Sequence, residues 1–417
     1  MAATSKEYEC KLEISAFFKS YRKKDGRAQH AHPFFWGVFP AEGIITPAIA
    51  FIKGKLGLRK SLPDLTLVNG VVIDGTGSAA IVDATVVIRH GLIEAVGRDV
   101  AACIDTEIID LQGRTILPGF FNTHVHRAFK ADVLRAWAQE GVTTVRDLGA
   151  NLRMDQFARR DRLMQYNRHA RLISVGPMIS TVGGYGTLKV SSPEHARQAV
   201  IALAKAGADL IKIGIEDHLQ YRRYHLISLE EIRAIVDAAH SCNLRVSAHV
   251  SRARHLALAI EGGVDDVAHM TVDNLPDHLI EKMVQQNMFW VPTLELWSGV
   301  SQMYDLNWDM QAIENLRRFV AAGGQVAIGT DYAGHGCEFD LGMPLKEMKL
   351  MQLAGMKAMQ IIVAGTRNAA QVCGLPEHGT LEPGKVADIL VVDGNPLNDL
   401  DALKRTYLVI HNGERIR

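Results

Sequence analysis

From Ile116 to Asp331, apolar runs and amphipathic runs take turns along the chain. ILPGFFNTHVH, VTTVRDL, RLISVGP, ADLIKIGI, LRVSAHV, VDDVAHM, FWVPTL and QVAIGTD read as strands. Stretches of helical periodicity separate most of them, among them SPEHARQAVIALAKAG, SLEEIRAIVDAAHSCN and RARHLALAIEGG. SLEE predicts a capping box with Ser228 at the N-cap and Glu231 at N3. Gly207, Gly262 and Gly323 stand where helices are expected to stop. Eight strands alternating with helices over about 250 residues is the pattern of a (β/α)8 TIM barrel. A doubly wound open sheet is the alternative, but it leaves the polar residues at the strand ends unexplained.

Both flanks have a different texture. LTLVNGVVIDGTG, ATVVIRHGLIEAVG and EIIDLQGRTILPG are short β-rich runs split by Asn-Gly, Asp-Gly, His-Gly and Gln-Gly, the punctuation of hairpins. GTLEPGKVADILVVDGNP and TYLVIHNGERIR repeat it at the far end. The expected architecture is an α/β chain with the barrel, residues 118–375, inserted into a small β-sandwich made by residues 63–117 and 376–417. Residues 1–62 form an extension with no assignable role. Its apolar segment 33–52 carries Pro33, Pro40, Pro47 and Glu42, within about 20 residues that a spanning helix would need unbroken. No membrane span is expected there. An arm packed on this chain or on a second subunit fits better, with peripheral membrane contact as the other option.

Lys+Arg and Asp+Glu both number 46, so bulk charge points to no nucleic-acid partner. The five cysteines are scattered without CxxC spacing, which argues against a disulfide framework and for a reducing, cytoplasmic setting. MAATSKEYECKLEIS lacks the basic start and apolar run of a secretory signal.

In a (β/α)8 barrel the chemistry sits at the C-terminal ends of the strands. Strand one ends in His124 and His126, which share a face because they are two residues apart. Strand four carries Lys212, strand five His249, strand six His269, and strand eight ends in Asp331. Singly, such a histidine is usually structural, and an aspartate there is usually a turn residue. Lys212 is harder to place, since Leu210, Ile211, Ile213 and Ile215 surround it and a bare buried ammonium is costly. It either snorkels to solvent or has taken up carbon dioxide as a carbamate, an anionic oxygen donor able to bridge two metals. Taken together and in order, the residues predict a metal site of imidazole and hard oxygen. That set suits Zn²⁺, with Mn²⁺, Co²⁺ or Fe²⁺ as alternatives. Six ligands allow two divalent metal ions about 3.5–4 Å apart, which would acidify a shared water. Asp331 would orient that water, accept its proton and pass it to the leaving group.

LPGFFNTHVH resembles the strand-one signature of the amidohydrolase superfamily, and GTLEPGKVADILVVDGNPLND its C-terminal signature. Lys212 in LIKIG, His249 in AHV, His269 in AHM and Asp331 in GTD match its other metal positions. VPTL and AGTRNAA are similar to the imidazolonepropionase-like branch, which includes Xaa-Pro dipeptidases. The resemblance covers residues 64–417 and implies hydrolysis of an amide-like C–N bond in a small molecule, and also a homo-oligomer. Two departures bear on a dipeptidase assignment. Tyr185 stands in STVGGYGTLK where prolidase-like members carry a second histidine, and MTVDN follows strand six.

Substrate contacts are expected from Arg127, Tyr185, Tyr221, Arg222, Tyr224 and His335 around the mouth. HLQYRRYH could fold over the site and hold a carboxylate or an aromatic ring. The methionine-rich run from Met343 to Met359 reads as helix core rather than groove. Two other functions stand beside C–N hydrolysis: cleavage of ester, lactone or phosphotriester bonds on the same centre, and a non-catalytic scaffold. The scaffold predicts missing ligands, and none is missing.

Overall fold

The computed structural model describes residues 64–149, 155–219 and 222–417. The chain divides into two units, Met1–Ser61 and Leu62–Arg417. The first unit, with its apolar segment 33–52, lies outside the described residues, as does Tyr221.

Eight short parallel strands close a ring. They are strand one (Phe120–Val125), two (Val142–Asp147), three (Arg171–Ser174), four (Ile211–Gly214), five (Val246–His249), six (Asp266–Ala268), seven (Phe289–Val291) and eight (Gln325–Val326). Ladders join one to two, two to three, and four through eight. Backbone hydrogen bonds close the remaining seams. Asp209 N donates to Ser174 O (3.0 Å) between strands three and four, and Thr123 N to Ile328 O (2.8 Å) and Asp331 N to His124 O (2.9 Å) between eight and one. The strands read as continuous apolar runs because both of their faces are covered.

Two strands escaped the sequence reading. Ile179–Thr181 and Leu188–Val190 form from the Gly-rich segment after strand three, and Ile179 pairs in parallel beside Ile213. At three residues each they are too short to show a period. Gly214 explains how this segment reaches the mouth, since a side chain there would strike the Tyr185 carbonyl. Inside the ring, the guanidinium of Arg146 on strand two spans to Asp266 on strand six through bonds of 3.0 and 2.9 Å, with both side chains fully buried. Ser247 Oγ donates to the same carboxylate at 2.7 Å, so the buried charges are compensated.

The capping box at Ser228 is formed, with Glu231 N on Ser228 Oγ (3.2 Å) and Ser228 N on Glu231 Oε2 (3.0 Å). Gly207 ends the helix Pro193–Ala206 in a left-handed conformation, φ +97°. The helix Ala253–Gly262 runs one residue past its expected stop, and Gly263 takes the left-handed cap at φ +78°. Gly262 is required for another reason: a side chain there would run into Ile232 of the neighbouring helix. Met343, Met348, Met351 and Met356 are buried in the core.

Strands from both ends of the described chain form one eight-stranded sheet. Leu65–Val72 is its node, pairing in parallel with Glu107–Asp110 through its first half and with Thr115–Pro118 through its second. Ile389–Val392 adds antiparallel to Thr115–Pro118. Leu67, Val86, Ile88, Ile116, Ile389 and Ile410 belong to one buried cluster against this sheet. Only Gly119 separates Thr115–Pro118 from strand one. At the same junction the carboxylate of Asp388 is held by Arg171 (3.0 Å), His378 (3.0 Å), His411 (2.9 Å) and the backbone N–H of Asn412 (2.7 Å). Among the described residues no helix is long and apolar enough to cross a membrane.

Candidate metal centre

His124, His126 and His249 stand at the C-terminal ends of strands one and five, His269 just past that of strand six, Lys212 inside strand four and Asp331 in the loop beyond strand eight, and all of them line one cavity of about 510 Å³. Asp331 Oδ1 lies 3.1 Å from His124 Nε2 and 2.8 Å from His126 Nε2. The rings of His124 and His269 are 4.8 Å apart between centroids, and those of His269 and His249 are 4.6 Å apart. Yet His124 Nδ1, Lys212 Nζ and Asp331 Oδ1 are buried without a hydrogen-bond partner, since the short Asp331 contacts lack hydrogen-bond geometry. Buried polar atoms are almost always paired. His124, His126 and Asp331 offer ligand atoms within 4.8 Å of one another, which fits a divalent cation, and the donors match the hard oxygen and imidazole preference of Zn²⁺ and its neighbours.

Outer contacts determine which nitrogen each ring has left. His126 Nδ1 meets Gly149 O at 3.2 Å and His269 Nδ1 meets Thr293 Oγ1 at 2.9 Å, so both rings offer Nε2. His249 is reversed, with Nε2 3.3 Å from Glu216 Oε2. Asp147 steadies the His126 side, accepting from Ala128 N (3.1 Å) and Gly149 N (3.2 Å). His269, Thr293 and Asp331 hold left-handed backbones at φ +70°, +48° and +64°. Such positions cost on the order of 1–3 kcal/mol each and persist where the surroundings impose them.

Burial pulls the His124 imidazole down to about 3. Burial works the same way on His126, but Asp331 and Asp147 outweigh it and raise that ring to about 9. The two rings face one carboxylate, and His126 alone also has Asp147 and the Gly149 carbonyl beside it. Asp331 itself stays well below the usual carboxylate range: burial opposes its charge, and the two imidazoles overcome that. Burial also brings the Lys212 ammonium down to about 7. A neutral amine is the form that reacts with carbon dioxide.

Of the expected substrate residues, Arg127, Tyr185 and His335 line the cavity. Tyr224 stacks edge-on against Tyr185 at 5.3 Å, one layer back. Arg222 is exposed and does not line the cavity; it pairs across a two-residue ladder with Leu219, and it is Leu219 that faces in. Sequence reasoning missed Arg159, Leu296, Trp297 and Trp308 in the lining, and Glu216 and Thr293 behind His249 and His269. Glu216 carried one signal: an acid four residues after Lys212, where strand four ends. The aromatic wall after strand seven carried none, because Trp297 has the spacing of an ordinary amphipathic helix.

The profile of the Amidohydrolase family matches residues 115–416. Ochratoxinase from Aspergillus niger is 27% identical over 235 residues, which are 52% of this chain and 48% of that protein, so this chain spans about half the length of that relative. Imidazolonepropionase from Deinococcus radiodurans is 26% identical over 355 residues, covering 75% of this chain and 86% of that one. Among solved structures, a Xaa-Pro dipeptidase with bound methionine in the active site superposes with a TM-score of 0.76 at 25% identity, over 84% of this chain and 99% of the other.

Proposed function

The chain belongs to the amidohydrolase family, and from that premise we propose that it is a metal-dependent hydrolase that cleaves an amide-type C–N bond of a small molecule. The convergence of four imidazoles, Asp331 and Lys212 on one cavity, with His124 Nδ1, Lys212 Nζ and Asp331 Oδ1 left without partners, carries the reading. His124, His126, His249, His269 and Asp331, with Lys212 as a bridging carbamate, would hold two divalent ions, Zn²⁺ fitting the donors best. When bound, such metals supply an acidified water and polarise a carbonyl. Asp331 would orient such a water, accept its proton and pass it to the leaving nitrogen. A buried, ionised carboxylate on a constrained backbone suits that role, since it does not swing away between the two transfers.

The mouth supports a substrate class as well. Leu296, Val300, Trp297 and Trp308 form an apolar aromatic wall after strand seven, while Arg127 and Arg159 stand after strands one and two. Neither arginine side chain makes a hydrogen bond or ion pair among the described residues. We therefore assign a substrate with an apolar or aromatic body and a carboxylate, of the N-acyl amino acid or dipeptide kind. The related proteins include a Xaa-Pro dipeptidase and an ochratoxinase. Cys103, Cys242, Cys337 and Cys373 are free, which supports a reducing compartment.

The test pairs elemental mass spectrometry with a substrate panel, on protein grown with Zn²⁺ and bicarbonate. Near two metals per chain and turnover of N-acyl amino acids or dipeptides is the expected result. Turnover confined to esters, lactones or phosphotriesters would overturn the bond assignment and keep the centre. A metal-free, inert protein would overturn both.

A further inference from the structure

We propose that Glu216 is a positioning residue for the metal centre, fixing the ring of His249 so that its Nδ1 and not its Nε2 faces the metal. The inference rests on the metal-centre reading above and adds to it a residue outside the ligand set.

Glu216 lies just beyond strand four, and its side chain is fully buried. One oxygen, Oε2, is 3.3 Å from His249 Nε2 and accepts the hydroxyl of Ser251. The other, Oε1, accepts the backbone N–H groups of Asp217 (3.0 Å) and His218 (2.9 Å) and lies 3.7 Å from His255 Nδ1. Asp217 in turn takes His255 Nε2 at 3.0 Å and Arg254 at 2.6 Å. Glu216, Asp217 and His255 are close enough to be read as a second cation site. Their existing partners argue otherwise, for Asp217 is already neutralised by Arg254 and Glu216 already accepts several donors.

The group instead runs from the protein surface at Arg254 to the back of a ligand. A ligating imidazole offers one nitrogen to the metal and anchors the other, and a carboxylate anchor fixes the tautomer and makes the ring a stronger donor. The other anchors in this centre are neutral oxygens, Gly149 O behind His126 and Thr293 Oγ1 behind His269. Glu216 is the one carboxylate found behind a ligand ring among the described residues. His249 is thereby turned opposite to His126 and His269, and the bonds to the Asp217 and His218 N–H groups and to Ser251 leave Glu216 no freedom to release it.

The test is Co²⁺ titration of metal-free full-length chain, followed by visible absorption, with Glu216→Gln, Glu216→Ala and Ser251→Ala beside the unsubstituted protein. Glu216→Gln keeps the shape and loses the charge. We expect it to weaken Co²⁺ binding about 10- to 100-fold and to change the absorption bands, with circular dichroism unchanged. Ser251→Ala should show a smaller shift in the same direction, and it carries the test should Glu216→Ala not fold. Unaltered affinity and bands in Glu216→Gln and Ser251→Ala would make Glu216 merely structural and overturn the proposal. Absence of Co²⁺ binding by the unsubstituted chain would overturn the centre itself, and the positioning role with it.

Discussion

The hydroxyl of Thr293 lies 2.9 Å from Nδ1 of His269, and both residues hold left-handed backbones. Thr293 precedes the helix Leu294–Tyr304, yet its side chain does not cap it. Glu347, fully buried, accepts the N–H groups of Leu294 (3.0 Å) and Glu295 (2.7 Å) instead, which frees the threonine hydroxyl for the histidine. Thr293→Val keeps the shape and removes the anchor. It should lower metal affinity or turnover about 10- to 100-fold, and Thr293→Ser should restore both. Equal metal retention in the valine and serine variants after dialysis against a chelator would show that the hydroxyl does not hold the ring.

Asp331 faces two imidazoles and is the proposed proton carrier. Asp331→Asn keeps the volume but cannot take a proton. Turnover should fall by about 10²- to 10⁴-fold, with the thermal midpoint near that of the parent. Steady-state kinetics on the purified variant decides it, since full turnover on any substrate would remove Asp331 from the chemistry.

The barrel strands were legible because each is buried on both faces and reads as an apolar run, and because the candidate ligands follow one another on or near them in chain order. Ile179–Thr181 and Leu188–Val190 were not, since three residues set no period and Gly183, Gly184 and Gly186 between them signal only a loop. His124 and His126 announced themselves by spacing. Glu216 did not, because a carboxylate anchoring a ring through space leaves no fixed separation in sequence from His249. Arg222 is exposed and outside the cavity lining while its ladder partner Leu219 lines it, a difference that the run HLQYRRYH does not encode.

Lys212 gives a pH prediction. Burial lowers its folded pKa to about 7, so above about pH 7 the amine is neutral and open to carbon dioxide, and below it the ammonium prevails and does not react. Reloading of metal-free protein with Zn²⁺ and bicarbonate should therefore be complete at pH 8 and fall away as pH drops through 7. Lys212→Ala should lose bicarbonate dependence and bind fewer metals per chain. Metal content that ignores both pH and bicarbonate in the parent protein would exclude the carbamate.

Asp388 ties the end sheet to the barrel through Arg171, His378 and His411. Burial alone would raise its carboxyl, but those partners hold it well below the ordinary value of 3.8. A depressed folded pKa contributes stability above the unfolded pKa and loses it as pH falls through the folded one. The contribution is thus complete at neutral pH and fades below about pH 4. Removing one partner of a buried ion pair costs about 3–5 kcal/mol, so Asp388→Ala should be destabilised by that order at pH 7 and by less at pH 3. Urea unfolding at the two pH values measures the difference, and an equal loss at both would show that the charge is not what matters.

The mouth separates into a cationic sector and an aromatic one, and the two should fail in different ways. Arg127 and Arg159 meet no described partner, so a substrate carboxylate can take them without breaking an existing bond. Arg127→Ala with Arg159→Ala should raise KM for an N-acyl amino acid about tenfold or more, in the range of about 1.5–3 kcal/mol for hydrogen bonds to a charged group, and leave its methyl ester unaffected. Trp297 is nearly buried and stacks edge-on against Trp308 at 5.7 Å, so it presents a fixed surface. Trp297→Leu should weaken aromatic acyl substrates more than acetyl ones, through loss of apolar contact. A panel crossing acid against ester with aromatic against acetyl reads both effects at once. If the arginine variants lose acid and ester equally, the carboxylate is bound elsewhere, and His335 at the same rim becomes the residue to substitute.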